Sequence, residues 1–222
     1  MNILGVDYGT KRIGLAISLE GINLPLKTIP FEGYKNIIKN IIEEKNIERI
    51  VIGLPLSMSG RLSNTSLEAV SFAEKIKKLC NETYLIDERL TTSVVNIYTN
   101  INKTNKKNFK DQISAMEILK SFNEGKGKSF YVKEILKIEI KELEEYKNKK
   151  ILIYNPPSYK IKNLDFYQSL SIYTDNPQIY KGFKTREFEV YNLNNDININ
   201  EYDAIFSEER INEKTLCPWF NG

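Results

Sequence analysis

The first thirty residues constrain the fold more than any other part of the chain, because three apolar runs follow one another with very short connections. Residues 2–8 and 12–18 flank Gly9-Thr10-Lys11, and a third run occupies residues 22–30. Connections this short join antiparallel neighbours, and glycine suits a hairpin turn. The pattern therefore predicts a three-stranded antiparallel meander.

Beyond the meander, helical and strand patterns alternate along the chain. Isoleucines at helical spacing predict a helix over residues 34–45, and continuous apolar residues at 50–53 predict a buried strand. Thr65 and Glu68 have capping-box spacing at the start of a second helix. A strand over 83–87 and a helix over 111–123 follow. The meander is thus expected to continue into a mixed α/β sheet with flanking helices.

The second half of the chain has a different pattern. Residues 129–149 alternate apolar and charged side chains at roughly helical spacing, which predicts a connecting helix. It would join a first domain over 1–128 to a smaller C-terminal α/β extension over 150–222, and 222 residues suffice for two cores. Four strand-like runs recur in the extension, at residues 151–155, 170–174, 187–193 and 204–207. Residues 1–145 hold 22 basic and 19 acidic side chains, whereas the rest holds 10 of each. The extension is therefore not expected to be the main phosphate-binding surface.

The composition excludes several kinds of active site. The chain has no histidine, which removes Ser-His and Cys-His nucleophiles and histidine-bound metals. Cys80 and Cys217 form no CxxC pair, so neither a zinc site nor a disulfide framework is expected. Any metal must be held by oxygen, which favours Mg²⁺ or Mn²⁺. No leader pattern and no membrane-spanning apolar run is present, so we expect a cytoplasmic protein.

Carboxylates stand at the ends of two predicted strands and at the start of a predicted helix. They are Asp7, the pair Asp87-Glu88, and Asp111. Each has an ordinary alternative: a turn residue, a point where the chain reaches water, and a helix cap. Together they could supply the oxygen ligands that hydrolysis of a phosphodiester with one or two cations requires. Because side chains alternate along a strand, only one of Asp87 and Glu88 can face the metal directly.

Four ordered blocks of the sequence resemble the YqgF (RuvX) family. The blocks are Asp7 to Ala16, Val51 to Leu56 with Gly60, Asp87 to Thr92, and Asp111 with Ala115, Ile118 and Leu119. The resemblance covers residues 1–125. Ser114 departs from it, because the family usually has alanine there, and the extension has no counterpart.

The resemblance implies a ribonuclease-H-like fold and a metal-dependent nuclease similar to Holliday-junction resolvases. It also implies that Asp7, Glu88 and Asp111 are the catalytic and metal-binding acids, with Asp87 as a further acid near the metal. Pre-16S rRNA processing during ribosome biogenesis is the role ascribed to the family.

A further group of residues is expected to contact nucleic acid. Its members are Gly9, Lys11, Arg12, Ser57, Arg89, Lys103, Lys106, Lys107 and Lys110. The alternatives are salt bridges from the arginines to neighbouring acids, a loop that only caps a helix, and a solvated run of lysines. Residues 100–108, which include most of these lysines, are expected to be mobile, after a helix that Thr91-Thr92 can cap.

Three functions are compatible with the sequence. The favoured one is an endonuclease that cuts an RNA precursor, with nucleic acid and ribosomal particles as partners. The second is a resolvase of branched DNA, which needs paired cuts and hence a homodimer. The third is a non-catalytic nucleic-acid-binding or scaffold protein, which the retention of all the acids makes less favourable.

Overall fold

A computed structural model of the chain describes residues 1–89, 106–192 and 197–220. The chain divides into two compact units, the first formed by residues 1–58 and 62–133 and the second by residues 59–61 and 134–222. The predicted domain boundaries at residues 128 and 150 stay a prediction. Within the described ranges, no helix is both long enough and apolar enough to cross a membrane.

The first unit contains a six-stranded sheet in the order β3-β2-β1-β4-β5-β6. Strands β1, β2 and β3 pair antiparallel, β4 and β5 run parallel to β1, and β6 pairs antiparallel to β5. The predicted meander and mixed sheet are confirmed, and the arrangement is that of a ribonuclease-H-like domain. The strands are β1 (Asn2–Asp7), β2 (Arg12–Leu19), β3 (Ile22–Pro30), β4 (Ile47–Leu54), β5 (Glu82–Asp87) and β6 (Ser129–Tyr131).

Within the described ranges, three helices cover the two faces of this sheet: α1 (Tyr34–Lys45), α2 (Asn64–Ile76) and α3 (Lys106–Asn123). Alternate residues of β1 serve different faces, as strand geometry requires. Leu4 and Val6 belong to the core that α1 and α2 cover, whereas Ile3 packs with Ala115 and Leu119 of α3. Asp7 has the same parity as Ile3 and therefore lies on the α3 face.

Glycines bring α3 against the backbone of the sheet. A Cβ atom at Gly5 would lie 2.5 Å from Leu119 Cγ, and one at Gly14 would overlap the carbonyl oxygen of Asp111. No larger residue fits at either position without a shift of the helix. The two glycines therefore fix how closely Asp111 approaches the end of β1.

Two helix starts differ from the sequence-based expectation. Ser63, and not Thr65, caps α2: its hydroxyl accepts from the Ser66 backbone N–H, and the Ser66 hydroxyl completes the capping box. Helix α3 begins at Lys106, so Asp111 lies inside it and the helix-cap alternative for Asp111 is wrong. Thr91-Thr92 and residues 100–105 lie outside the described residues.

The predicted connecting helix over residues 129–149 is wrong. This segment forms β6, the short strand β7 (Ile138–Ile140) and a single 3-10 turn over Glu144–Tyr146. Its apolar residues also fit the period of a strand, and an open sheet edge offers hydrogen bonds that a helix would not satisfy. Accordingly β6 pairs with β5, and the Val132 N–H donates to the Thr83 carbonyl at 2.9 Å.

The second unit contains a five-stranded, wholly parallel sheet in the order β11-β10-β8-β12-β13 and a three-stranded sheet in the order β14-β7-β9. Three of the four predicted strands are confirmed, and the run over 187–193 is reduced to two paired residues. The elements are β8 (Lys150–Tyr154), β9 (Ile161–Lys162), β10 (Ser169–Tyr173), α4 (Pro177–Lys184), β11 (Val190–Tyr191), β12 (Ala204–Phe206), β13 (Thr215–Leu216) and β14 (Trp219–Phe220).

Candidate active site

Asp7 is the last residue of β1 and stands at the carboxyl edge of the sheet. Burial, and then repulsion by the Asp111 carboxylate, raise its pKa to about 7, although Lys110 and a hydrogen bond from Ser114 act in the opposite direction. A carboxylate in such surroundings is costly to ionise. A cation bound beside Asp7 would therefore offset an unfavourable buried charge.

Glu88 directly follows β5, and its carboxylate lies over the backbone of β4. A Cβ atom at Gly53 would overlap Glu88 Oε1 and would lie 2.7 Å from Ile118 Cδ1. Burial, followed by repulsion from Asp7 and Asp87, raises the pKa of Glu88 to about 8. The absence of a side chain at Gly53 thus makes room for a carboxylate on the same face as Asp7.

Asp87 has a different environment from Glu88. The residue is buried, and its carboxylate forms a two-pronged ion pair with Arg89, whose Nη2 lies 2.6 Å from Oδ2 and whose Nε lies 3.0 Å from the same oxygen. The Arg89 backbone N–H also donates to Asp87 Oδ1. Of the two consecutive acids, Asp87 is therefore neutralised within its own loop, and Glu88 faces the Asp7 side.

Asp111 projects from α3 towards the start of β2. Arg12 Nε donates to Asp111 Oδ2 at 3.0 Å, and both side chains are partly buried. This is the salt bridge expected as the alternative to phosphate binding by Arg12. Asp111 and Asp7 remain close enough for mutual repulsion, so Arg12 stabilises the acid that lies beside Asp7.

The three acids come from three separate elements, and Asp7 interacts electrostatically with each of the other two. No group of three or more acids and cysteines in the described ranges is arranged tightly enough to hold a metal ion as it stands. The arrangement places three carboxylates, which are hard oxygen donors, at a partly buried edge of the sheet, where Asp7 repels the other two. Such a set suits a divalent cation.

The expected nucleic-acid contacts have varied surroundings. Lys11, Ser57 and Lys110 are exposed, whereas Arg12 and Arg89 pair with acids. Gly9 lies in a tight turn, since a Cβ there would be 2.7 Å from the Arg12 carbonyl oxygen. Lys103 and the side chains of Lys106 and Lys107 lie outside the described part of the chain. Among the basic side chains that the structure describes, Arg12 pairs with Asp111, Lys110 lies near Asp7, and Arg89 pairs with Asp87.

Sequence reasoning missed two features of this edge. The role of Gly53 in admitting Glu88 was not recognised, although Gly5, Gly53 and Asp7 share the α3 face. Ser114 was noted only as a departure from the family pattern, yet its hydroxyl hydrogen-bonds Asp7. The spacing of Asp111 and Ser114, one helical turn apart, could have indicated that both face the same strand end.

Comparison with known proteins assigns the first unit. A profile of the RuvX family, described as Holliday junction resolvase, matches residues 1–124. A protein of Rickettsia bellii (strain OSU 85-389) is 38% identical over 130 residues, which cover 54% of this chain and 83% of that protein. One from Acetivibrio thermocellus is 33% identical over 139 residues, with 58% and 99% covered. Both are named "Putative pre-16S rRNA nuclease".

Among solved structures, Thermus thermophilus RuvC in complex with a Holliday junction substrate aligns with a TM-score of 0.39 and 10% identity. The alignment covers 59% of this chain and 99% of RuvC. The family profile covers more than half of the chain, and its relatives are nucleases that hydrolyse phosphodiester bonds in nucleic acid. The chain therefore belongs to the RuvX family of Holliday-junction-resolvase-like nucleases.

Proposed function

We propose that this chain is an Mg²⁺- or Mn²⁺-dependent endonuclease that cuts the precursor of 16S rRNA. Asp7, Glu88 and Asp111 are its proposed catalytic and metal-binding acids. The observation that carries this proposal is the like-charge coupling of Asp7 to both other acids at one sheet edge. In a protein without histidine, phosphodiester hydrolysis depends on carboxylates of this kind.

The residues present fit a divalent cation. Asp7, Glu88 and Asp111 offer only oxygen donors, and Gly53 leaves open the space that the Glu88 carboxylate enters. A cation bound there would activate water and offset negative charge on the phosphate. Asp111 would exchange its contact with Arg12 for the cation, and Arg12 would then be released towards a phosphate oxygen.

The other side chains bind and orient the substrate in this proposal. Lys110 lies near Asp7 and, with Lys11 in the exposed turn, attracts the polyanion. Without a cation, Asp7 and Glu88 retain protons more readily than ordinary carboxyl groups, because burial and mutual repulsion raise their pKa values into the neutral range. Asp87 and Arg89 support the loop that carries Glu88 and do not contact the metal directly.

The choice of RNA rests on the names of the curated relatives, which specify pre-16S rRNA. Ribosomal precursor particles in the cytoplasm are then the expected partners. The family profile is instead described as a Holliday junction resolvase, which supports branched DNA as a second candidate substrate. That candidate requires a homodimer, because a junction is resolved by paired cuts. A binding module without catalysis is the third possibility, and the retained acids argue against it.

The test is a cleavage assay with the purified full chain. A transcript that spans the 5′ end of 16S rRNA and a synthetic four-way DNA junction are incubated with Mg²⁺, Mn²⁺ or EDTA. We expect cation-dependent cutting of the transcript at a defined site and no cutting by Asp7→Asn. Cutting of the junction alone would replace RNA with DNA as the substrate. Cutting of neither substrate with any cation, while both bind, would support the binding module.

A further inference from the structure

A concave feature adjoins the candidate active site on the other face of the sheet. Tyr8 follows Asp7 directly, about 3.8 Å along the chain between Cα atoms, and its side chain points to the face that α1 and α2 cover. There it borders a cleft of about 290 Å³. The cleft and the acid cluster therefore lie on opposite sides of one strand end.

The floor of this cleft is aromatic. Phe72 is buried, and its ring centroid lies 4.9 Å from that of Tyr8 at an interplanar angle of 36°. Phe31 meets Tyr8 edge to face at 6.1 Å. Tyr8 and Phe31 are only partly buried, so ring surface remains accessible in the cleft. Such surfaces attract flat π systems.

The rim of the cleft is polar and carries both charges. Glu68 and Lys75 project from α2, Thr10 belongs to the turn after Asp7, and all three are exposed. They offer an acceptor, a charged donor and a hydroxyl around an apolar floor. A nucleobase has the matching properties, because it presents two π faces and an edge of donors and acceptors. An aliphatic ligand would leave this rim without partners.

We propose that this cleft, bounded by Tyr8, Phe31 and Phe72, receives a base of the nucleic-acid substrate next to the phosphodiester held at Asp7. The base packs against the aromatic floor, and Glu68 and Lys75 contact its edge. This subsite rests on the proposed nuclease function, since it takes a nucleotide of the same bound strand. It makes Tyr8 a positioning residue and Glu68 a determinant of base preference.

The test uses the Asp7→Asn protein, which we expect to bind without cutting, and oligonucleotides of RNA and of single-stranded DNA. Each carries 2-aminopurine at one position along the strand, and stacking on an aromatic ring quenches its fluorescence. We expect quenching at one position adjacent to the cleavage site that the wild-type protein defines. Adding Tyr8→Leu removes that quenching and lowers affinity by roughly tenfold, the effect of one lost stack. Tyr8→Phe retains it.

One control variant separates lost stacking from lost structure, and a further variant tests the polar rim. Tyr131→Leu removes another partly exposed tyrosine, far along the sheet in β6, and should leave the quenching pattern unchanged. Glu68→Gln changes only the exposed rim. Introduced into the otherwise wild-type protein, it should alter which base is preferred at the quenched position when a randomised substrate is cleaved. Circular dichroism verifies that each variant is folded.

The outcomes distinguish the subsite from the nuclease activity. If the wild type cleaves but quenching is absent, or is unchanged by Tyr8→Leu, the proposed subsite is overturned. The proposed nuclease function is not affected by that result. Tyr8-dependent quenching without cleavage of any substrate supports the subsite and overturns the proposed hydrolysis. If neither RNA nor DNA binds, both proposals fail.

Discussion

The two larger sheets of the molecule share one strand order, yet they place different chemistry at the end of the central strand. In each sheet, the strands appear in the order third, second, first, fourth, fifth along the chain, and the first unit adds β6 at its edge. The first unit joins its first three strands by antiparallel hairpins and adds β4 and β5 in parallel, whereas every strand pair of the second sheet is parallel. Strand order alone therefore does not define a site.

The residues at the carboxyl ends of β1 and β8 make the difference. Asp7 ends β1 as a carboxyl group with two acidic neighbours. Asn155 follows β8 as a neutral amide, and its Oδ1 accepts from the Asp175 N–H at 3.1 Å while its own N–H donates to the Tyr173 carbonyl. One strand end is electrostatically strained, and the other is internally satisfied. We expect only the first to respond to cations.

The largest effect expected from this comparison is that of Asp7→Asn. The change removes the acid that couples to both others, so cleavage should fall by more than about 100-fold, beyond the loss typical of a group that only supports a metal ligand. The measurement is the single-turnover rate at saturating Mg²⁺. Asn155→Asp is the matched control, because it places an acid at the equivalent end of β8, and its rate should stay within about twofold of wild type.

A glycine in each unit gives the next contrast. A Cβ at Gly53 meets the Glu88 carboxylate, whereas one at Gly182 meets the ring of Tyr159. Gly53→Ala should therefore displace Glu88 and lower the cleavage rate at least about tenfold. Gly182→Ala should instead lower stability, by about 1–3 kcal/mol for overpacking. Thermal unfolding and cleavage rates of both variants test this; equal rate losses in the two would contradict it.

The pH dependence of stability should also differ between wild type and a site variant. The folded-state pKa is about 7 for Asp7 and about 8 for Glu88, against ordinary values of 3.8 and 4.5. Between those limits the folded protein holds more protons than the unfolded chain. The contribution of these two groups to stability is therefore fully present below about pH 4, is lost as the pH rises, and levels off above about pH 8.

Urea unfolding in EDTA measures this effect. Glu88→Gln removes one of the two raised groups, so the loss of stability from pH 5 to pH 8 should be smaller than in wild type by on the order of 2 kcal/mol. Mg²⁺ should offset part of the wild-type loss, because it binds the ionised acids of the folded state. A variant whose pH profile parallels that of wild type would show that Glu88 ionises normally.

The smallest expected effect belongs to Ser114. Its hydrogen bond lowers the pKa of Asp7, so Ser114→Ala should raise that pKa and move the midpoint of the pH–rate profile upward by less than about one unit. The rate on the alkaline plateau should stay within about twofold of wild type. A shift towards lower pH would contradict the contact.

The comparison also indicates what the sequence can predict. The meander, the buried strand β4 and the acids at strand ends follow from short-range patterns, because apolar period and turn residues are local properties. Whether residues 129–149 form a helix or strands depends on the free edge of β5, which exists only in the folded sheet. Likewise, the fit of Glu88 over Gly53 joins residues from two strands, and the pairing of Asp87 with Arg89 depends on the loop geometry.

The central claim is tested most directly by measuring the binding of Mn²⁺ to the full chain at about pH 8.5. Binding is monitored as a decrease in the electron paramagnetic resonance signal of the free ion. The account predicts that wild type and Asn155→Asp remove Mn²⁺ from solution and release protons, and that Asp7→Asn does neither. Undiminished binding of Mn²⁺ by Asp7→Asn would contradict a metal site built around the end of β1.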